Sequence, residues 1–189
     1  MFGDWFEVFF KPHTIKKHSG DFGKGVLNIF VASLIYGVIM GLAVAFLSTL
    51  LGAFFGGAGA LIGGATGIAA FFLILIYAVI SGVLGLIIGS AILLLFAKIF
   101  GGEGGYSEQT FAISLPSSAL MLVAWIPVVN FIAALYYLYP LTIVLRETHN
   151  YSTGKAVLTW LIPMIIALVL SSVASLVGIL ATAPTMRLA

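Results

Sequence analysis

Polar and apolar residues fall in long blocks along this chain, with no short-range alternation. Between Lys24 and Lys98 lie 73 consecutive residues without Asp, Glu, Lys, Arg or His. As α-helix such a run extends about 110 Å at ~1.5 Å per residue, whereas the hydrocarbon core of a bilayer is ~30 Å thick. One crossing cannot use it up, so the stretch is predicted to cross a membrane at least twice. Barrel strands alternate apolar and polar over about ten residues, but residues 68–77 and 161–170 are almost wholly apolar. The pattern therefore predicts an all-α fold, a polytopic membrane helix bundle.

Charge clusters and prolines cut the chain into five predicted spans, about residues 26–51, 68–100, 110–126, 131–145 and 156–183, with Pro184 ending the last. A Gly-rich segment, 52–67, lies between the first two spans, and its structure is not assigned from the pattern. Polar loops cover 101–109 and 146–155. Pro127 and Asn130 mark a tight turn between the short third and fourth spans. Two regions result: an amphipathic N-terminal segment, 1–24, and a membrane domain, 25–189.

With five spans, Lys11, Lys16, Lys17, Lys24, Lys98, Arg146 and Lys155 share one side and Arg187 alone takes the other. By the positive-inside rule the N-terminus is cytoplasmic and the C-terminus extracytoplasmic, in a multi-pass plasma-membrane protein. All six acids and all three histidines fall on the cytoplasmic side as well.

Composition agrees with this reading. The chain is 62% hydrophobic and 7% charged, against about 25% charged in ordinary soluble domains. With 189 residues there is no room for a separate soluble catalytic domain. Without cysteine there are no disulfides, thiol nucleophiles or thiolate metal ligands. A net charge of +2 is too small to point to nucleic acid. The N-terminus does not match a secretory signal.

Several segments carry candidate function. In the N-terminal segment, Trp5, Phe6 and Phe9 with Val8 and Phe10 make one apolar face of a short helix, followed by Lys11, Lys16 and Lys17. Two readings stand: an interfacial helix meeting the lipid bilayer, or a plain positive anchor for the first span. Small residues recur at spacing four, notably Gly37 and Gly41, then Ser81, Gly85 and Gly89. They suit close helix packing inside the bundle or against a second copy or another membrane protein. Pro116, Pro140 and Pro163 interrupt apolar segments. Pro116 and Pro140, with Tyr136, Tyr137 and Tyr139, are candidates to line a cavity; ordinary kinks and packed tyrosines are the alternative. No ionisable side chain is expected in the apolar core, no histidines have metal spacing, and no serine has a catalytic partner set. Neither enzymatic activity nor a cofactor is expected.

The loops carry a resemblance. Ala97-Lys-Ile-Phe-Gly-Gly-Glu-Gly-Gly-Tyr-Ser-Glu-Gln-Thr110, followed by Pro116, and the later Glu147-Thr-His-Asn-Tyr-Ser-Thr-Gly-Lys-Ala156 resemble segments of the YIP (Ypt/Rab-interacting protein) family, and Phe10-Lys-Pro12 fits ahead of the first span. The likeness extends over about residues 5–180. It implies a five-helix membrane domain with a cytoplasmic N-terminus. By analogy with eukaryotic relatives it implies a role in membrane organisation and vesicle traffic through small GTPases. Only about 24 residues precede the first span here, and the relatives' Asp-Leu-Tyr-Gly-Pro-type motif is missing. That departure argues against small-GTPase binding and resembles the short prokaryotic branch.

Two functions follow as expectations. The first is a membrane organiser or scaffold whose interaction face comprises Glu103, Tyr106, Glu108, Gln109, Arg146, Glu147, His149 and Lys155, with Lys16 and Lys17 at the membrane interface. The second is a small-solute or lipid transporter or channel with its site between spans three, four and five. Opposite charges on the two polar loops are expected to pair across them.

Overall fold

A computed structural model describes residues 1–182. Six α-helices follow one another: α1 (Phe2–Phe10), α2 (Phe22–Phe54), α3 (Gly56–Ile99), α4 (Tyr106–Val123), α5 (Pro127–His149) and α6 (Thr153–Thr182), with a 3-10 helix at Pro12–Lys17 between α1 and α2. Among the described residues there is no strand. Pro184 and Arg187, and with them the expected charge on the opposite side, lie outside the described residues.

The helix ends follow from local chemistry. Asp21 caps α2, its carboxylate accepting the Lys24 N–H at 2.9 Å. Pro127 opens α5, where a missing N–H costs nothing. Asn150 closes α5 in the left-handed region, at φ 52°. Gly56 holds φ 83°, which a side chain would resist, and it forms the tight link from α2 to α3.

The Gly-rich segment therefore does not separate two spans. Residues 52–67 form the tip of a helical hairpin, and α3 runs 44 residues from Gly56. Gly52, Gly59, Gly63 and Gly67, with Gly41 further along α2, sit where α2 and α3 touch. A Cβ on Gly63 would stand 2.6 Å from the Ser48 carbonyl, one on Gly67 2.8 Å from the Ala45 carbonyl, and one on Gly41 3.1 Å from the Phe71 carbonyl. Without an added apolar force between helices in lipid, such close backbone approach is what holds a pair together.

Among the described residues four helices are long and apolar enough to cross a membrane: α2, the 62–99 part of α3, α5 and the 153–178 part of α6. The expected third span, α4, is not among them. It is shorter and more polar because it packs against α1, α2, α3 and α5, and ten of its eighteen residues are buried. Its polar groups face protein: Asn28 of α2 donates to Ser114 Oγ at 3.1 Å, and Gln109 donates to the Ser90 carbonyl of α3 at 2.7 Å. Matched pairs fix the register. Phe22–Ser107, Asn28–Ser114 and Ser33–Met121 run α4 parallel to α2. Ser117–Tyr137 and Gln109–His149 run α5 antiparallel to α4. Trp160 donates to Thr142 at 2.9 Å, laying α6 back along α5. The outer faces of α3 and α6 are lined with exposed Ile, Leu, Val and Phe, as a lipid-facing surface requires.

Candidate functional site

Three segments far apart in sequence meet at one end of the bundle, and among the described residues every Asp, Glu, Lys and Arg lies in or beside them. The loop after α3 folds under the end of α5. Lys98 Nζ donates to the Gly102 and Glu103 carbonyls, each at 3.1 Å, and the Glu103 N–H donates to the His149 carbonyl at 3.2 Å. The backbone of Gly102 and Gly104 lies against the His149 ring, close enough that a Cβ on Gly104 would stand 3.0 Å from Nδ1.

His149 is wholly buried and meets buried Gln109 at 2.6 Å, Nε2 to Oε1. The Gln109 amide nitrogen already donates to Ser90, so its oxygen is the acceptor and His149 Nε2 carries the hydrogen. Nδ1 is then left as an acceptor, and it has no hydrogen-bond partner. Neither residue is available as an outward contact. Gln109 and His149 are a buried latch holding α3, α4 and α5 together, not part of an exposed face. Tyr106 likewise turns inward and donates to the Ile87 carbonyl of α3 at 2.8 Å. Glu103, Glu108 and Lys155 are exposed.

The expected pairing across the two loops is absent among the described residues. Glu147 instead meets Lys16 at 2.6 Å and its neighbour Arg146, with His13 at 3.7 Å. Arg146 also reaches His13 Nδ1 at 3.2 Å and Thr153 Oγ1 at 3.4 Å. The 3-10 helix engages Glu147 and Arg146 of the second loop, and among the described residues neither Glu103 nor Glu108 makes an ion pair with Arg146 or Lys155. A cleft of about 510 Å³ remains between Lys16, His18, Glu108, Glu147 and Thr148. Nearby, Tyr151 shares a hydrogen with Thr159 at 3.0 Å, and burial raises its phenol above the ordinary value, which keeps it neutral.

The N-terminal segment is part of the fold. Trp5, Val8 and Phe9 are buried, with Phe6 partly so, against α4 and α5. Phe9 lies 5.2 Å from the Tyr136 ring, centroid to centroid. Trp5 and Phe9 thus face the bundle rather than lipid, while Lys16 and Lys17 stay exposed.

Tyr136 and Tyr139, three residues apart on one helix face, hold their rings 6.0 Å apart, Tyr136 also packing on α1 and Tyr139 being exposed. Tyr137 turns to another face, lines a cleft and shares a hydrogen with Ser117 at 2.7 Å. That cleft, about 460 Å³, runs between α3, α4 and α5, the second, third and fourth expected spans and not the third to fifth. Pro116 and Pro140 are buried but do not line it. Ser81, Gly85 and Gly89 do, and nothing stands within 4 Å of a Cβ on Gly85 or Gly89. These two glycines make no helix contact, unlike Gly37 and Gly41, which pack on α3.

The family model for the Yip1 domain matches residues 6–176, from within α1 to within α6. The chain belongs to the Yip1 domain family. It is an integral membrane protein, with apolar helices long enough to span. No curated protein and no solved structure matches it. In this Yip1 domain the loops that carried the resemblance are the two that join through His149. Sequence reasoning left Trp5 facing either lipid or the bundle and missed that Gln109 and His149 are interior. Only Gln109, a polar residue just ahead of an apolar run, gave a signal, and a histidine at a helix end reads equally well as exposed.

Proposed function

We propose that this Yip1-domain protein is a non-catalytic membrane organiser that meets partners or lipid through the charged end of its bundle. The observation that carries this reading is the convergence of residues 1–24, 101–109 and 146–155 on one end, locked from inside by Trp5 and the Gln109–His149 pair. Exposed ion pairs contribute only ~0–1 kcal/mol each, so stability alone is a weak reason to gather charge there. We place that end in the cytoplasm at the plasma membrane, because the described Lys and Arg residues all lie at that end. Reporter fusions at Gly105 and Ala189 test the orientation and should report opposite sides.

Complementation of a deletion strain separates the organiser from its alternative. Lys11→Glu and Glu108→Arg, both at exposed positions, should abolish complementation while the protein still inserts at parental abundance. Full complementation by both variants would refute the reading. The second reading, a small-solute or lipid transporter, is favoured by the cleft that Tyr137, Ser117 and Ser90 line. Filling it with Gly85→Leu should leave an organiser active and disable a transporter.

A further inference from the structure

A further cavity, about 430 Å³, opens where the linker after the 3-10 helix passes between α1, the first two turns of α2, and α4. This is within the ~300–1,000 Å³ range of small-ligand sites. Its polar wall comes from Lys17, His18, Ser19, Lys24 and Asn28. We infer that this cavity holds the phosphate headgroup of one anionic phospholipid.

Charge supports an anion. Among the described residues, neither Lys17 nor Lys24 makes an ion pair. The one carboxylate lining the cavity, Asp4, is held by the Met1 amine at 3.0 Å. The nearby Asp21 is occupied in capping α2. The remaining charge on the wall is two ammonium groups without partners. Hydrogen bonding points the same way. His18 Nε2 is buried without a hydrogen-bond partner; the nearest carboxylate oxygen, on Glu7, stands 3.7 Å away, beyond hydrogen-bonding distance.

Position supports a lipid over a soluble anion. Leu27 lines the cavity and is exposed, and Phe30 and Leu34 continue the same exposed stripe along α2. Their spacing of three and four residues puts them on one helix face. A headgroup in the cavity therefore has its acyl chains delivered directly onto an apolar, lipid-facing strip. Basic pockets at the cytoplasmic end of membrane helices bind anionic headgroups in this way. The site rests on the organiser reading in lying at the charged end of the bundle, but its test reads lipid retention alone and needs neither a protein partner nor complementation.

Native mass spectrometry of the full-length protein in mild detergent tests it. With added phosphatidylglycerol one lipid should be retained, and phosphatidylcholine should not displace it. The double variant Lys17→Gln/Lys24→Gln should weaken retention by more than tenfold, at roughly fivefold per basic residue. The control double variant Lys11→Gln/Lys155→Gln removes the same net charge outside the cavity and should retain the lipid as the parent does. Unchanged melting and helical content in both variants separate loss of the site from loss of the fold. Equal retention by the Lys17/Lys24 variant, or equal loss in the control, would overturn the site in favour of diffuse attraction. Displacement of the lipid by millimolar inorganic phosphate would overturn the lipid assignment in favour of a soluble anion.

Discussion

The two ends of this bundle are held by opposite means. Along the α2–α3 hairpin and at its tip, glycines at positions 41, 52, 63 and 67 let backbone meet backbone, and no charged side chain takes part. At the charged end the contacts are large and polar: a buried Trp5, the Gln109–His149 latch and a carboxylate gripped by Lys16 and Arg146. Lipid tails are as apolar as leucine, so within the bilayer helices gain little from size and much from close approach. At the water-facing end, burying a large aromatic is favourable in the ordinary way, and polar partners can be completed. A volume increase should therefore break one end, and a deletion the other.

The largest effect is expected at the charged end. Trp5→Ala should cost about 3–5 kcal/mol, as large-to-small changes at fully buried aromatics do. It should release α1 from α4 and α5 and speed tryptic cleavage after Lys16 and Lys17; unchanged proteolysis would mean α1 is not structural. Next comes the tip. Gly63→Val should cost about 1–3 kcal/mol by overpacking, seen as a lower midpoint of thermal unfolding in detergent, whereas a valine accepted without loss would contradict the close approach. The latch is comparable or smaller. Gln109→Leu leaves buried His149 Nε2 unpaired, at about 1–3 kcal/mol, while the Ser90 carbonyl keeps its bond within α3. Gln109→Leu/His149→Leu should recover much of that, because neither position of the pair then holds an unpaired buried polar group; strict additivity would argue against the pair. Lys16→Met should cost only ~0–1 kcal/mol, and less at high salt, because the lysine is 65% exposed. The smallest effect sharpens the comparison from within α3. Gly85→Ala meets nothing within 4 Å, so it should be neutral or stabilising by up to ~1 kcal/mol, in contrast to Gly63.

Much of the fold is legible in the chain because its cause is local. A residue block with no charge has to be helical in lipid, whatever its neighbours are. Asp21, Pro127 and Asn150 mark boundaries by their own hydrogen-bonding and dihedral chemistry. The Gly-rich segment was left unassigned because glycine disfavours helix in water, while here the partner helix rewards its missing side chain. The candidate site was less legible. Charge marked which loops share an end, but opposite charges on the two loops read as partners of one another, and only the packed 3-10 helix shows why Glu147 pairs with Lys16 as well as with its neighbour Arg146. Tyr136, Tyr137 and Tyr139 are alike as letters, and their different surroundings follow from the helix rotation against α1 and α3.

The sequence by itself determined a membrane-embedded helical bundle with a polar end, because hydropathy and charge are summed along the chain and need no partner. Only the tertiary structure decided which helix is central, which glycines touch, and which polar residues are interior. Those outcomes depend on the direction each side chain faces once helices are set side by side. Gly63 and Gly85 are the same residue on one helix, and Gly63 is filled by α2 while Gly85 stands open on a cleft.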